Sequence, residues 1–263
     1  MLIFLKLGGS LITNKSVPYT PRTEIIDSIA AQVARFLERD REVELLIGHG
    51  SGSFGHEAAG QLQTMARKPG TDLWHGFSEV WYQASTLNRL VTEAFRRTGL
   101  AVVSISPFSS VVADNGEIDR WDISPIRNAL DHHILPIIYG DIVFDSKKGW
   151  SILSTEMLFD HLLDTFHPRR ILLAGMEEGV WKDYPDRNHL VSEITPKLYE
   201  TEPPSWGDIA GMDVTGGMRS KVEDMLNLVK REPDLQVHIF SGKDPKMIHR
   251  ALNGENMGTL IHG

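Results

Sequence analysis

The chain has 263 residues and a formal net charge of −8, and 41% of its residues are hydrophobic. This length suits one large α/β domain or two small lobes, and the acidic balance without a basic block argues against nucleic acid or an anionic membrane as a partner. The chain contains no cysteine, which excludes disulfides and thiolate chemistry, and it has neither a membrane-length apolar run nor a signal peptide, so we expect a cytoplasmic protein.

Short apolar runs alternate with longer helical patterns, which is typical of an α/β fold with a mostly parallel sheet. The first long helix is expected to begin at Pro21 with Thr20 as its cap. A second helix would bury an apolar stripe that includes Trp81 and would end at Gly99. The predicted strands are 2–7, 43–47, 101–105, 134–139, 171–174 and 237–240, and the later helices are 77–97, 125–131, 155–165 and 217–231.

Glycine-rich turns stand at the ends of predicted strands or the starts of predicted helices. They are Gly8-Gly9-Ser10, residues 48–55, and Gly216-Gly217. Glycines let backbone N–H groups approach a ligand closely, and a helix that follows such a turn favours an anion at its start. Since one phosphate cannot occupy three turns, the pattern indicates a compound with several phosphates or two phosphate-bearing substrates that meet.

Residues 50–55 have the G-x-G-x-x-G spacing of dinucleotide-binding folds. We reject that interpretation because the motif requires an acidic residue at the end of a second strand about twenty positions later, where this chain leads into another helix. A Walker-type phosphate loop is also absent. The sequence therefore predicts a different phosphate cradle.

Three lysines accompany the glycine turns, and phosphoryl transfer needs cations around the transferring group. Lys6 alternates with apolar residues at the end of a strand, so its burial would be costly without an anion. Lys15 follows the first turn and Lys221 follows the third, although Lys15 taken alone is better explained as a solvated surface residue.

His56 closes the second glycine turn, and we expect it in the first turn of the helix that follows. There its ring could donate to the same anion as the backbone amides; a capping or solvent-facing histidine is the alternative. A zinc site shared with His49 would lack further residues at ligand spacing, so no metal site made of protein residues is predicted.

Four segments, in this order, resemble the amino acid kinase superfamily and, within it, the isopentenyl phosphate kinases. They are KLGGSLITNK (6–15), GHGSGSFGH (48–56), YGDIV (139–143) and DVTGGMRSKVE (213–223). The resemblance implies a three-layer αβα sandwich with a central, mostly parallel sheet. It also implies an acceptor-binding lobe at 1–160 and an ATP-binding lobe at 161–263, with ATP as co-substrate, Mg²⁺, and a homodimer.

The resemblance also implies roles for individual residues. Because a phosphate monoester is already ionised, its oxygen can attack ATP without a general base, and His56 would hold and orient the acceptor phosphate. The residues expected at ATP are Lys6, Gly8, Gly9, Ser10, Gly52, Asp183, Gly217 and Lys221. Those expected at the acceptor phosphate are Ser51, Gly52, His56 and Gly140, and those expected to be catalytic are Lys6, Lys15, His56 and Lys221.

Aromatic residues after the second glycine turn are candidates for a pocket that takes an isoprenoid tail, namely Phe77, Trp81 and Tyr82. Core packing at helical spacing explains each of them equally well. The chain departs from the family pattern at 152–156, where Glu156 would replace an aspartate that orients the lysines or the role would be lost. The acidic positions near Asp183 are also shifted.

Two alternatives remain open. A fosfomycin-type phosphonate kinase would use a closely similar scaffold, but the aromatic residues favour a lipid tail. A non-catalytic relative that binds nucleotides or oxyanions is disfavoured because the lysines and His56 are retained.

Overall fold

The computed structural model describes residues 1–66, 72–204 and 217–263. The helices are α1 (Gly9–Ile12), α2 (Thr23–Arg39), α3 (Gly52–Ala66), α4 (Leu73–Arg97), α5 (Pro107–Ser110), α6 (Ser124–Asp131), α7 (Thr155–Phe166), α8 (Pro196–Thr201), α9 (Gly217–Arg231) and α10 (Lys246–Leu252). The strands are β1 (Leu2–Leu7), β2 (Glu44–His49), β3 (Val102–Ser104), β4 (Val111–Asp114), β5 (Glu117–Trp121), β6 (Leu135–Tyr139), β7 (Asp141–Asp145), β8 (Gly149–Leu153), β9 (Arg170–Gly175), β10 (Val180–Trp181), β11 (Leu190–Val191), β12 (Glu193–Ile194), β13 (Gln236–Ser241) and β14 (Thr259–Ile261). No helix in these ranges is long and apolar enough to cross a membrane.

A large sheet forms the centre of the described part of the chain, with the strand order β12-β14-β13-β9-β1-β2-β6-β3. Its neighbouring strands run parallel except for the pair β13 and β14. Strand β1 lies between β2 and β9. The sheet therefore extends from β1 through β2 on one side and through β9 on the other. The carboxyl ends of these strands meet at one edge, which in open α/β sheets is where ligands bind.

Alternate residues of β1 pack against different layers of helices. Leu5 and Leu7 belong to a core cluster with residues of α1, α2, α4 and α10, whereas Leu2 and Phe4 pack with α6, α7 and α9. The predicted three-layer fold around a mostly parallel sheet is thus confirmed. Because side chains alternate along a strand, Lys6 lies on the second face, toward α7 and α9.

The large sheet draws strands from both predicted lobes. Strands β1, β2, β3 and β6 come from the amino-terminal part of the chain, and β9, β12, β13 and β14 come from the carboxyl-terminal part. The two parts therefore share one sheet and its two core clusters. The division at residue 160 remains a prediction about which part binds which substrate.

Two predictions about helix boundaries were wrong. Helix α2 begins at Thr23 and not at Pro21, because Pro21 pairs with Thr13 in an isolated β-bridge that keeps this segment extended. Helix α4 begins at Leu73, where Asp72 caps it by accepting a hydrogen bond of 3.0 Å from the backbone N–H of Trp74. Trp81 was expected in the buried stripe of this helix but is 36% exposed.

A second sheet was not predicted at all. It has the order β5-β4-β7-β8, and its strands have only four or five residues each. The Asp145 carboxylate joins its two turns by accepting bonds of 2.7–3.1 Å from the backbone N–H groups of Asn115, Gly116, Lys147 and Lys148. Burial opposes ionisation of Asp145, but a hydrogen bond from the Ser151 hydroxyl together with these backbone bonds holds its pKa well below its usual range.

Candidate active site

A cavity opens where the strands β1, β2, β6 and β9 end. Most of the residues that the sequence singled out line it: Lys6, Gly8, Gly9, Ser10, Lys15, Ser51, Gly52, His56, Gly140, Gly217 and Lys221. The fold thus brings three lysines and a histidine to the glycine turns from distant parts of the chain. The stretch from Asp213 to Gly216 lies outside the described residues.

The first two glycine turns are in direct backbone contact. A Cβ atom placed on Gly9 would lie 2.5 Å from the backbone nitrogen of Gly52 and 2.6 Å from its Cα. Gly52 has φ +51°, and a Cβ there would meet the Thr13 hydroxyl. Both positions therefore require glycine, the first because of close approach and the second because of its backbone conformation as well.

Helix α3 begins inside the second glycine turn, at Gly52. His56 consequently lies in the second turn of the helix and not in the first, so that prediction was wrong by one turn. The Thr13 hydroxyl ties the start of the helix to the first turn, since it accepts from the Ser53 N–H at 2.9 Å and donates to the Gly9 carbonyl at 2.7 Å. His56 still lines the cavity.

Lys6 is only 8% exposed, and its ammonium group forms an ion pair with the Glu156 carboxylate at the start of α7. The Lys221 ammonium lies 3.9 Å from the same carboxylate oxygen. Burial opposes ionisation of Glu156, but the two lysines outweigh it and lower its pKa to about 2. The anion that burial of Lys6 required is therefore present, and Glu156 holds both lysines at the cavity.

Replacing this carboxylate should cost stability as well as activity. We expect Glu156→Gln to lower the free energy of unfolding by about 3 kcal/mol, because it leaves a buried lysine without its counter-ion. Glu156→Asp keeps the charge and should cost less. Urea unfolding of both variants tests this, with Glu93→Gln, which breaks an exposed pair with Arg96, as the control expected to change little. Equal losses in the Gln and Asp variants would contradict the assigned ion pairing.

Four predicted residues do not line the cavity. Asp183 accepts hydrogen bonds from the backbone N–H groups of Asn188 and His189 and closes its own loop. Phe77 is buried, whereas Trp81 is partly exposed and Tyr82 is 56% exposed. The ATP role of Asp183 and the tail-binding roles of the three aromatic residues stay predictions.

Phe77 and Trp81 belong to an aromatic cluster that adjoins the cavity. The Phe77 ring lies 4.9 Å from that of Phe144 and 6.0 Å from that of Phe108, and Trp81 contacts Phe108 at 5.6 Å. Phe77 also shares a core cluster with Ala59 and, at its margin, Ile152, and both of these line the cavity. Packed apolar side chains thus connect the cavity wall with the aromatic rings.

Several polar cavity residues had no role predicted from the sequence, among them Asp224, Glu177 and Thr155. Asp224 lies one helical turn after Lys221 on the same face of α9, and Glu177 follows the end of β9; both positions could have been found from helical spacing and from the strand end. Thr155 donates to the His49 carbonyl at 2.7 Å. No sequence signal connects those two residues.

Comparison with known proteins agrees with this geometry. The chain matches the amino acid kinase family over residues 1–241. The isopentenyl phosphate kinase of Methanothermobacter thermautotrophicus is 33% identical, with 100% of this chain and 99% of that protein aligned. The isopentenyl phosphate kinase of Methanocaldococcus jannaschii is 30% identical, with 99% and 98% aligned.

An X-ray structure of an isopentenyl phosphate kinase superposes on the chain with a TM-score of 0.82 at 28% identity, covering 99% of this chain and 100% of that one. The match thus extends over both the large sheet and the helices that carry the cavity residues. The site residues, the fold and these relatives agree, and the chain belongs to the amino acid kinase family, where it groups with the isopentenyl phosphate kinases.

Proposed function

We propose that the chain transfers the γ-phosphoryl group of ATP to isopentenyl phosphate, giving isopentenyl diphosphate and ADP. The observation that carries this proposal is the cavity in which Lys6, Glu156 and Lys221 face two glycine turns that touch each other. A kinase must bring two anions together, and this arrangement offers cations and backbone amides for both. The relatives named above support the choice of acceptor.

In the proposed reaction, an oxygen of the acceptor phosphate forms a bond to the γ-phosphorus while the bond to the β,γ-bridging oxygen breaks. That bridging oxygen leaves with ADP. The acceptor is already ionised, so the chain needs to supply no base, and its work is positioning and charge stabilisation. Lys6, fixed by Glu156, and Lys221 would stabilise the charge on the transferring group, with Lys15 beside them and Gly8, Gly9, Ser10 and Gly217 along the ATP phosphates.

The acceptor phosphate would lie against the second glycine turn. Ser51, Gly52 and Gly140 line the cavity there together with His56, whose imidazole N–H would donate to a phosphate oxygen. The apolar cavity wall at Ala59 and Ile152 would take the isoprenoid tail, on the side where Phe77, Trp81 and Tyr82 are the candidate contacts.

The cavity residues fit a magnesium ion that enters with ATP. Among the described cavity carboxylates, Glu156 is held by two lysines and Glu177 by the Arg187 guanidinium at 3.0 Å. Asp224 remains, and burial together with the nearby Glu156 raises its pKa, so a cation would stabilise its charged form. Carboxylate oxygens are ligands that Mg²⁺ prefers, and the ion would neutralise charge on the ATP phosphates.

We also propose a homodimer and, because ATP is the co-substrate, a cytoplasmic location. Strand β3 lies at the edge of the large sheet in the described residues, and Val103 on it is exposed. An exposed edge strand is a place where a second chain can pair. Light scattering should therefore give about twice the chain mass of 29.5 kDa; a mass equal to that of one chain would contradict the dimer.

The function is tested by an ADP-release assay with isopentenyl phosphate, dimethylallyl phosphate and fosfomycin as acceptors. We expect turnover of isopentenyl phosphate and a much lower rate with fosfomycin. His56→Ala should weaken acceptor binding and slow transfer together, because the lost donor acts on the acceptor phosphate in both states. If neither prenyl phosphate is turned over, the proposal fails; turnover of fosfomycin alone would assign the chain to phosphonates.

A further inference from the structure

His49 ends β2 and lies within the second glycine turn, between Gly48 and Gly50, yet its side chain lies in the core. The residue is 0% exposed, and its ring stacks on that of Tyr139 with the centroids 5.5 Å apart and the planes 10° from parallel. This stack fixes the plane of the imidazole. The His49 side chain has no part in the proposed phosphoryl transfer itself.

Both ring nitrogens of His49 have polar neighbours. Nδ1 lies 3.1 Å from the Gly50 carbonyl oxygen, and Nε2 lies 3.2 Å from the side-chain amide oxygen of Asn88 on α4. Burial lowers the pKa of His49, and the charge of Lys6 acts in the same direction, so the ring is neutral and carries one N–H. A carbonyl oxygen can only accept, so the proton is on Nδ1 and Nε2 is an acceptor.

Asn88 satisfies this tautomer by a half-turn of its amide, which exchanges oxygen and nitrogen with little change in shape. The amide atom of Asn88 nearest to Ser104 lies 2.6 Å from its hydroxyl oxygen. After the half-turn this atom is the amide oxygen, which accepts from the Ser104 hydroxyl, while the NH₂ group donates to Nε2 of His49. The donors run in one direction, from Ser104 through Asn88 and His49 to the Gly50 carbonyl. Every buried polar group in this chain of bonds is satisfied.

The bond to the Gly50 carbonyl determines where the next amide points. The Gly50 N–H is fixed separately, because it donates to the Leu7 carbonyl at 3.0 Å. In a trans peptide the C=O and the following N–H point in opposite directions. A Gly50 carbonyl held toward the core by His49 therefore turns the Ser51 N–H away from the core, to the side on which Ser51 lines the cavity.

We propose that His49 is a positioning residue, which holds the Gly50 carbonyl so that the Ser51 N–H is presented to a substrate phosphate. Asn88 orients the ring from the other side. The inference rests on the proposed function, since it takes the anion at the second glycine turn to be a substrate phosphate.

Two variants of His49 separate this role from a purely structural one. In His49→Asn the amide nitrogen replaces Nδ1 and keeps donating to the Gly50 carbonyl, whereas in His49→Gln the amide oxygen replaces Nε2 and keeps accepting from Asn88. Each variant loses one of two buried hydrogen bonds, so their free energies of unfolding should fall by similar amounts. Only the Gln variant loses control of the Gly50 carbonyl.

The measurements are the KM for isopentenyl phosphate and the Kd for inorganic phosphate by calorimetry. We expect the Gln variant to raise both about tenfold and the Asn variant to stay within about threefold of wild type. Equal losses in the two variants, a larger loss in the Asn variant, or a wild type that binds no phosphate would overturn the inference. Phosphate binding that separates the variants without turnover of isopentenyl phosphate would uphold the role of His49 and refute the proposed acceptor.

Discussion

Lys221→Ala is expected to lower kcat by about a hundred- to a thousandfold while the protein stays folded. Groups that stabilise charge developing in the transition state contribute effects of this size when the site excludes water. The Lys221 side chain is 31% exposed, and its ammonium lies 3.9 Å from the Glu156 carboxylate. Removing this side chain therefore removes little packing. Because the charge grows during transfer, kcat should fall more than the affinity for either substrate.

The matched control is Lys230→Ala. Lys230 lies in the last turn of the same helix and is exposed, so this change removes the same charge from α9 far from the cavity. Steady-state kinetics and thermal unfolding of both variants make the comparison. Wild-type kcat in Lys221→Ala, or an equal loss in the control, would refute the role of Lys221.

Gly9→Ala should abolish most activity and destabilise the fold by several kcal/mol. The new methyl group would occupy the space of the Gly52 backbone, with 2.5 Å to its nitrogen, and backbone atoms cannot move aside as a flexible side chain can. The two glycine turns would have to separate. Overpacking of this kind typically costs about 1–3 kcal/mol where side chains can adjust, and here it would also move the backbone amides that we propose to hold both phosphates.

Gly60→Ala serves as its control. Gly60 lies within α3, and a Cβ there would have no heavy atom within 4 Å. The substitution should stabilise the protein by about 0.5–1 kcal/mol, because alanine loses less backbone freedom than glycine in a helix. Urea unfolding and the ADP-release assay test both variants, and a Gly9→Ala protein with wild-type stability would show that the turns can move apart freely.

The central strands of the large sheet could be predicted because they are buried on both faces, whereas β12 and β14, which have only two and three residues, were not predicted. A run such as Leu2–Leu7 has all six residues buried, and such runs stand out in any sequence. The small sheet escaped notice because a strand such as Glu117–Trp121 buries only its last residue. The hydrogen bonds to Asp145 that join the turns of this sheet are likewise revealed by no local pattern.

The lysines and glycine turns of the site could be predicted from charge and motif, but their partners could not. The pairing of Lys6 with Glu156 depends on the position of α7 across the sheet, which spacing along the chain does not define. Phe77 and Trp81 are one helical turn apart on α4, yet the first is buried and the second is partly exposed. Helical periodicity treats them alike because it contains no information about where the small sheet ends.

The contact between Gly9 and Gly52 is made by main-chain atoms, so the main chain sets how closely the first two glycine turns approach. Side-chain substitutions elsewhere cannot lengthen or shorten that distance in small steps. Substitutions on the aromatic side of such a scaffold can therefore change which acceptor tail is bound. The spacing of the donor and acceptor phosphates would stay the same. One fixed separation would then serve many acceptors.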